Sequence, residues 1–344
     1  MQQFHKDLID YGFDKRDIAK FTGGMTKREI AENDITKTKI VIANRQYLFK
    51  NNTKLPAFDV LICDEAHQCT AQATKDFIEK CSAKIKIGCS GTLPKDKFLL
   101  WSLVGLIGRV VYREDVTSLQ EKGYISKLKI TLLDILHRGV EGNRDYLFHT
   151  NAKTKYHPDE FGQSEIFFND AYKAEMEFFK SKYEELYTPI LDYLKKLPEN
   201  TLVLFDSLEI GKSLFELAQE QLKLDKRGIY YIDGSQKVEL REDIRDAFEK
   251  DDGNILFAQT ATFSTGVNIK RLTHIVFMFQ SKSFSRIIQS IGRALRLHFS
   301  KKEAHVVDVR FNFKYSKKHY DERLKYYKEV YGKKQPDEVI NIEI

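Results

Sequence analysis

The sequence predicts an α/β protein built as two parallel-sheet units in series. Three observations carry that reading. Short apolar runs alternate with amphipathic stretches through both halves, the rhythm of strand–helix–strand units. One such run, Val60-Leu61-Ile62-Cys63, leads straight into Asp64-Glu65. That places two carboxylates at the C-terminal end of a buried parallel strand, the edge where open α/β sheets hold their ligands. A polar stretch over 117–123 then marks a boundary, dividing the chain into residues 1–116 and 117–344.

The 344 residues suffice for two domains of ordinary size. A hydrophobic content of 42% with 31% charged residues is that of a globular protein, and no apolar run reaches the ~20 residues of a membrane span. The N-terminus, Met1-Gln2-Gln3-Phe4-His5-Lys6, has no signal-peptide core, so a cytoplasmic protein is expected. A net charge of +6 is compatible with a polyanionic partner without demanding one. The four cysteines, from Cys63 to Cys89, include no Cys-x-x-Cys pair and read as buried, reduced thiols rather than zinc ligands.

In order, residues 2–20 show short helical patterns interrupted at Gly12. Phe21-Thr22-Gly23-Gly24 is a turn, and 39–43 a strand followed by Asn44-Arg45-Gln46 and a short helical stretch to Phe49. After the Asp64-Glu65 strand come a helix over 71–81, a strand over 85–89 ending in Ser90-Gly91-Thr92, a helical pattern within 95–115 and a short strand over 109–112. The second half opens with a strand over 128–136 and a polar insertion over 137–169. A long helix over 170–196 follows. Strands are then expected at 202–205, 229–232, 255–257, 274–279 and, last, 305–309, with helices at 208–223, 239–249 and 284–297.

The 284–297 helix is the second chemical element. Phe284, Ile287, Ile288, Ile291 and Leu295 form its apolar face. Gln289, Arg293 and Arg296, spaced i, i+4 and i+7, share another, with Gly292 leaving room for a backbone or a phosphate. Paired guanidiniums suit the neutralisation of a transferring phosphoryl group, and adjacent carboxylates suit Mg²⁺ and an attacking water. The bland alternatives are a wet helix face and a solvated turn.

Asp64-Glu65-Ala66-His67, Ser90-Gly91-Thr92 and Gln289-Ser290-Ile291-Gly292-Arg293-Ala294-Leu295-Arg296 resemble motifs II, III and VI of superfamily 2 DExH helicases. Thr260 to Asn268 resembles motif V. The order and spacing match over about residues 5–330, and the Phe263-Ser264-Thr265-Gly266 run, followed by an apolar strand, is most similar to the phage UvsW-type recombination helicases.

The resemblance implies two RecA-like domains, ATP and Mg²⁺ as cofactors, and DNA, single-stranded or branched, as partner. RNA is not excluded. By position, Asp64 would organise Mg²⁺ and Glu65 the attacking water, while His67, Ser90 and Thr92 would couple hydrolysis to the second domain. Gln289 and Arg293 would meet the γ-phosphate, with Arg296 the arginine finger. Ser264, Thr265 and Gly266 would touch nucleic acid or relay to the nucleotide, and Asn268 would lie near the ribose. Thr22, Gly23, Gly24, Arg45 and Gln46 would contact the strand from the first domain, where Asn44 replaces a frequent Thr.

The departure is an absence: no Gly-x-x-x-x-Gly-Lys-[Ser/Thr] phosphate loop occurs, and Gly211-Lys212-Ser213 lacks the first glycine and runs directly into an amphipathic helix. By resemblance, Met1 falls about where the helix after motif Ia begins, so the first domain is expected to be N-terminally incomplete. Either a complementing N-terminal segment is supplied elsewhere, or the short chain is the product. The stretch from Lys314 to Tyr331 interleaves cations with aromatics. It suits either nucleic-acid contact or a last helix with packed tyrosines and solvated lysines. The functions left open are an ATP-dependent DNA helicase or translocase, a non-catalytic nucleic-acid-binding remnant of one, and an RNA helicase or restriction-type motor.

Overall fold

The computed structural model describes residues 2–21, 25, 38–44, 58–138, 154–156, 166–168, 171–222, 228–263, 269, 271–279, 283–299, 301 and 303–344. The chain divides into two compact units, Met1–Arg113 and Glu114–Ile344.

In the first unit, helix α1 (Gln2–Asp10) is followed by strand β1 (Ile18–Phe21), which pairs in parallel with β2 (Ile40–Ala43). The helical reading of 2–20 therefore fails after Asp10. Asp14 caps a single 3₁₀ turn by accepting the Arg16 N–H, Ile18 is buried after it, and Ala19 and Phe21 are buried against Val41 and Ala43, so pairing overrides local propensity. Strand β3 (Val60–Cys63) pairs in parallel with β4 (Ile85–Gly88), Val60 opposite Ile85.

Leu61 and Cys63 face a small core with Ala66, Cys69, Ile78 and Leu103, contributed by a 3₁₀ turn (Ala66–Thr70), α2 (Gln72–Lys80) and α3 (Lys97–Ile107). The opposite face is open: Val60, Ile62, Ile85 and Ile87 are exposed, with Ile62 at 66%. The expected double burial of this strand thus holds for one face only, because the described residues pack on one side of the pair. Residues 109–112, expected as a strand, join no sheet among the described residues, and Val110, Val111 and Tyr112 are exposed.

Among the described residues, the second unit is built on a seven-stranded, all-parallel sheet. After α4 (Val116–Glu121) the strands are β5 (Lys127–Leu136), β8 (Thr201–Phe205), β9 (Ile229–Ile232), β10 (Ile255–Gln259), β11 (His274–Phe277), β12 (Glu303–Phe311) and β13 (Glu338–Glu343), in the order β13-β5-β12-β11-β8-β10-β9. Two short strands, β6 (Thr154–Tyr156) and β7 (Ile166–Phe168), form an antiparallel pair within the expected insertion.

Both faces of the sheet are covered, which is why the central strands read as unbroken apolar runs. Alternate residues of β8 make the point. Val203 and Phe205 join Phe178, Phe179, Leu186, Ile190 and Leu214 from helices α5 (Ala171–Ser181), α6 (Tyr183–Lys195) and α7 (Leu208–Gln221). Leu202 and Leu204 join Phe248, Ile287, Ile291 and Tyr327 from α8 (Val238–Lys250), α10 (Phe284–Ala294) and α11 (Lys314–Tyr331). Each such side chain contributes about 1.5–3 kcal/mol by leaving water.

Three expectations need correction here. The long helix over 170–196 is two helices, broken at Lys182 (φ −114°, ψ 28°), which lets Phe178 and Tyr187 enter one core. The helix over 284–297 stops at Ala294. The strand at 303–311 is not the last: β13 follows α11 and pairs with β5, burying Ile340 and Ile342 partly while its Glu and Asn residues face water.

Candidate nucleotide and nucleic-acid sites

In the first unit the chain leaves β3 through Asp64, whose Oδ1 accepts the Glu65 N–H at 2.9 Å. Glu65 then takes a left-handed conformation (φ 49°, ψ 48°). Among the described residues it is the sole non-glycine residue with positive φ. Such a backbone costs about 1–2 kcal/mol and persists only where neighbours enforce it. Here Ala66 N–H donates to Cys89 O at 2.8 Å and Gln68 N–H to Glu65 O at 2.8 Å. The turn throws both carboxylates off the strand end into solvent, Asp64 exposed and Glu65 half-exposed.

His67 comes next and joins the two loops. Its Nδ1 lies 2.9 Å from Ser90 Oγ and 3.3 Å from a Glu65 carboxylate oxygen. The Ser90 hydroxyl donates to Thr92 O, so its oxygen accepts from the imidazole N–H, and Thr92 N–H approaches the same oxygen at 3.3 Å. Asp64, Glu65, His67, Ser90 and Thr92, picked from separate stretches of sequence, are thus one connected group.

The glycine below this group sits in a tight space. A Cβ on Gly88 would meet Ala66 Cβ at 3.0 Å and Ile107 at 3.2 Å. All four thiols are reduced, but burial is uneven: Cys69 is buried, Cys63 and Cys81 half-buried, and Cys89 exposed. The expectation of four buried thiols fails at Cys89, which sits past the end of β4. A hydrogen bond with Cys69, together with burial, pushes the Cys63 thiol far up.

In the second unit α10 buries Ile287, Ile288, Ile291 and Ala294, leaving Gln289 and Arg293 half-exposed on its other side. Arg293 Nη1 donates to Phe263 O, and its guanidinium lies over the Phe263 ring, 5.1 Å from the centroid. Phe263 ends the short helix α9 (Thr260–Phe263) at the C-terminal edge of β10. Arg296 lies in the exposed turn after α10 rather than on the helix, its N–H reaching Arg293 O at 3.3 Å. The helix ends where donors meet its last carbonyls: Ser126 N–H reaches Leu295 O at 2.8 Å, and the Lys301 ammonium donates to Ala294 O and Leu272 O. Burial lowers Lys301 to about 8. Lys301 is not legible from local pattern, its one sequence signal being its place seven residues past the helix end.

At Gly292 a Cβ would meet nothing within 4 Å among the described residues, so no close approach is made there. Gly211-Lys212-Ser213 lies inside α7, with a Cβ at Gly211 only 2.2 Å from the Phe205 ring, so it forms no phosphate loop. Thr22, Gly23, Gly24, Arg45, Gln46, Ser264, Thr265, Gly266 and Asn268 lie outside the described residues.

Sequence and structure comparisons fit this layout. Residues 1–95 match the family model for the type III restriction enzyme res subunit, and residues 181–298 match the helicase conserved C-terminal domain. The ATP-dependent DNA helicase uvsW of Enterobacteria phage T4 is 28% identical over 89% of this chain and 56% of its own length. A probable helicase, D10, of Escherichia phage T5 is 24% identical over 78% of this chain and 53% of its own. This chain therefore spans about half the length of the curated relatives it matches.

Among solved structures, an ATP-dependent type ISP restriction-modification enzyme, LlaBIII bound to DNA, matches with TM-score 0.62 and 12% identity, over 100% of this chain and 27% of that one. S. cerevisiae Dbp5 bound to RNA and ADP BeF3 matches with TM-score 0.58 and 11% identity, over 99% and 74%. At those identities the likeness is one of fold. With a family model matched in each unit, in this order, the chain belongs to the superfamily 2 helicases and has their α/β, parallel-sheet fold.

Proposed function

We propose that this chain is motor machinery of an ATP-dependent DNA helicase or translocase that works on branched or partly single-stranded DNA in the cytoplasm. The observation that supports it best is the link from Asp64-Glu65 through His67 to Ser90 and Thr92. A nucleotide switch needs its water-activating carboxylate tied to the segment that reports on it, and a solvated turn does not.

The Asp64 and Glu65 oxygens are the hard donors that Mg²⁺ takes. Asp64, exposed and held by its own turn, fits a metal reached through water. When bound, Mg²⁺·ATP supplies the phosphoanhydride whose hydrolysis drives movement. In this reading Glu65 holds the attacking water, and His67 passes the state of Glu65 to Ser90. Gln289, Arg293 and Arg296 serve the γ-phosphate, with Arg296 as the finger, an element that can be worth ~10³–10⁵ in rate. Ser264, Thr265, Gly266, Asn268, Thr22, Gly23, Gly24, Arg45 and Gln46 complete the nucleotide and strand contacts.

The test is ATP hydrolysis by the full chain with single-stranded and forked DNA. DNA-stimulated turnover that disappears in Glu65→Gln and Arg296→Ala, with DNA binding retained, supports the motor. Turnover that survives Arg296→Ala removes the finger assignment.

A second reading takes the chain as a nucleic-acid-binding module that does not turn over ATP by itself. Binding of single-stranded DNA without DNA-stimulated turnover would select it.

A further inference from the structure

The stretch of cations and aromatics from Lys314 to Tyr331 carries two readings in the sequence, and the structure divides it by position. In the body of α11, His319, Tyr320, Arg323, Tyr327 and Tyr331 are all buried, so most of its rings are core. The first turn differs. Lys314, Lys317 and Lys318 are exposed, and Tyr315 keeps part of its ring in solvent. Lys314 Nζ sits 5.5 Å from the Tyr315 centroid. From α5, the half-buried Tyr172 meets Tyr315 edge to face at 5.4 Å and 74°, with the exposed Lys173 beside it in sequence.

This pairing is held from beneath. Glu175, one turn along from Tyr172 and fully buried, accepts the N–H groups of Tyr315 and Ser316 at 2.8 and 2.9 Å. One carboxylate thereby locks α5 to the start of α11 and fixes the two rings relative to each other. Burying it is unfavourable, as its pKa, raised by burial to about 7, records. A merely solvated helix end needs neither that cost nor two half-open rings. The turn also begins three residues after β12 ends, at the C-terminal edge of the sheet, the edge where α9 follows β10.

Among the described residues, the exposed charges of the first turn of α11 are the cations Lys314, Lys317 and Lys318. Asp134 is committed to Arg310, Glu177 to Lys180 and Asp308 to Arg323. Asp321 is the exposed acid one turn further along α11. Because Glu175 occupies the first-turn amides, an anion here would be held by ammonium groups rather than by the helix end.

We propose that the first turn of α11 and Tyr172 form a contact site for single-stranded nucleic acid, with the two tyrosines stacking a base and Lys173, Lys314, Lys317 and Lys318 holding the flanking phosphates. The site lies outside every motif named above and rests on the nucleic-acid binding of the proposed function. Stacking is open to any base, so it adds affinity and salt dependence without sequence preference.

The experiment is fluorescence anisotropy of the full chain with a labelled oligothymidylate across a salt series. Tyr315→Ala should weaken binding roughly 10- to 100-fold. The Lys314→Ala/Lys317→Ala/Lys318→Ala variant should lower the slope of log K against log salt by about 2, at ~0.7 per phosphate. A base-paired duplex should be insensitive to Tyr315→Ala. The lysines are exposed, so that variant keeps its fold even if the tyrosine change perturbs packing. Wild-type affinity and slope in both variants would overturn the site alone. No binding by the wild-type chain would overturn the proposed function with it.

Discussion

Arg293 donates to the carbonyl of Phe263 while its guanidinium covers the Phe263 ring. One side chain thus ties α10, with Gln289 and Arg293, to the end of α9, next to the segment 264–268. A planar, delocalised cation can stack and donate at once, which an ammonium cannot. Arg293→Lys should therefore behave nearly as badly as Arg293→Met. Both are expected to speed hydrogen–deuterium exchange across Thr260–Phe263, read by mass spectrometry. Full protection in Arg293→Lys would show that charge alone makes the tie.

The Asp308–Arg323 pair is fully buried, with Arg323 Nη2 2.6 Å from Asp308 Oδ1 and the Tyr327 hydroxyl 2.6 Å from Oδ2. Removing the cation leaves a buried carboxylate without its counter-charge. Arg323→Met should cost about 3–5 kcal/mol in urea denaturation, and adding Asp308→Leu should recover most of the loss.

Gly211 faces the Phe205 ring so closely that Gly211→Ala should destabilise the second unit by about 1–3 kcal/mol through overpacking. Lys212→Ala, next to it on the same helix, should leave nucleotide binding unchanged. Loss of nucleotide affinity in Lys212→Ala would contradict the rejection of this segment as a phosphate loop.

Two buried groups give the stability–pH curve opposite slopes. Burial, with His305 adding to it, lowers His274 from 6.5 to about 3, so this residue's stabilisation is present above 6.5 and lost as pH falls toward 3. Glu175 is raised by burial from 4.5 to about 7, so its contribution is present below 4.5 and lost as pH rises through 7. The two partly offset each other between 4.5 and 6.5. Glu175→Gln should remove the loss of stability toward pH 7, and His274→Phe the loss toward acid. Denaturant midpoints measured across pH check both signs.

Much of the second unit was legible because its strands are buried on both faces, and an unbroken apolar run such as Leu202-Val203-Leu204-Phe205 has few other homes. β13 was missed because an edge strand is half wet, so its Ile340 and Ile342 show as a weak alternation beside charged residues. β1 was misread because pairing with β2, not propensity, makes it a strand. In the site, the Asp64-Glu65 pair and the residues of 289–296 were visible as residue types at helical or strand-end spacing. The His67–Ser90 contact spans 23 positions, and no spacing rule reaches that far.

The sequence by itself determined the alternation of strands and helices, the carboxylates at the end of β3, and the cations of α10 and α11, since each is a matter of residue order and short-range period. Tertiary structure alone decided that α10 stops at Ala294, where Ser126 and Lys301 meet its carbonyls. It also decided that Glu65 turns left-handed and that Tyr315 stays at the surface while Tyr327 does not. The physical reason is common to all three: a buried polar group must find a partner, and that partner comes from wherever the fold brings the chain close.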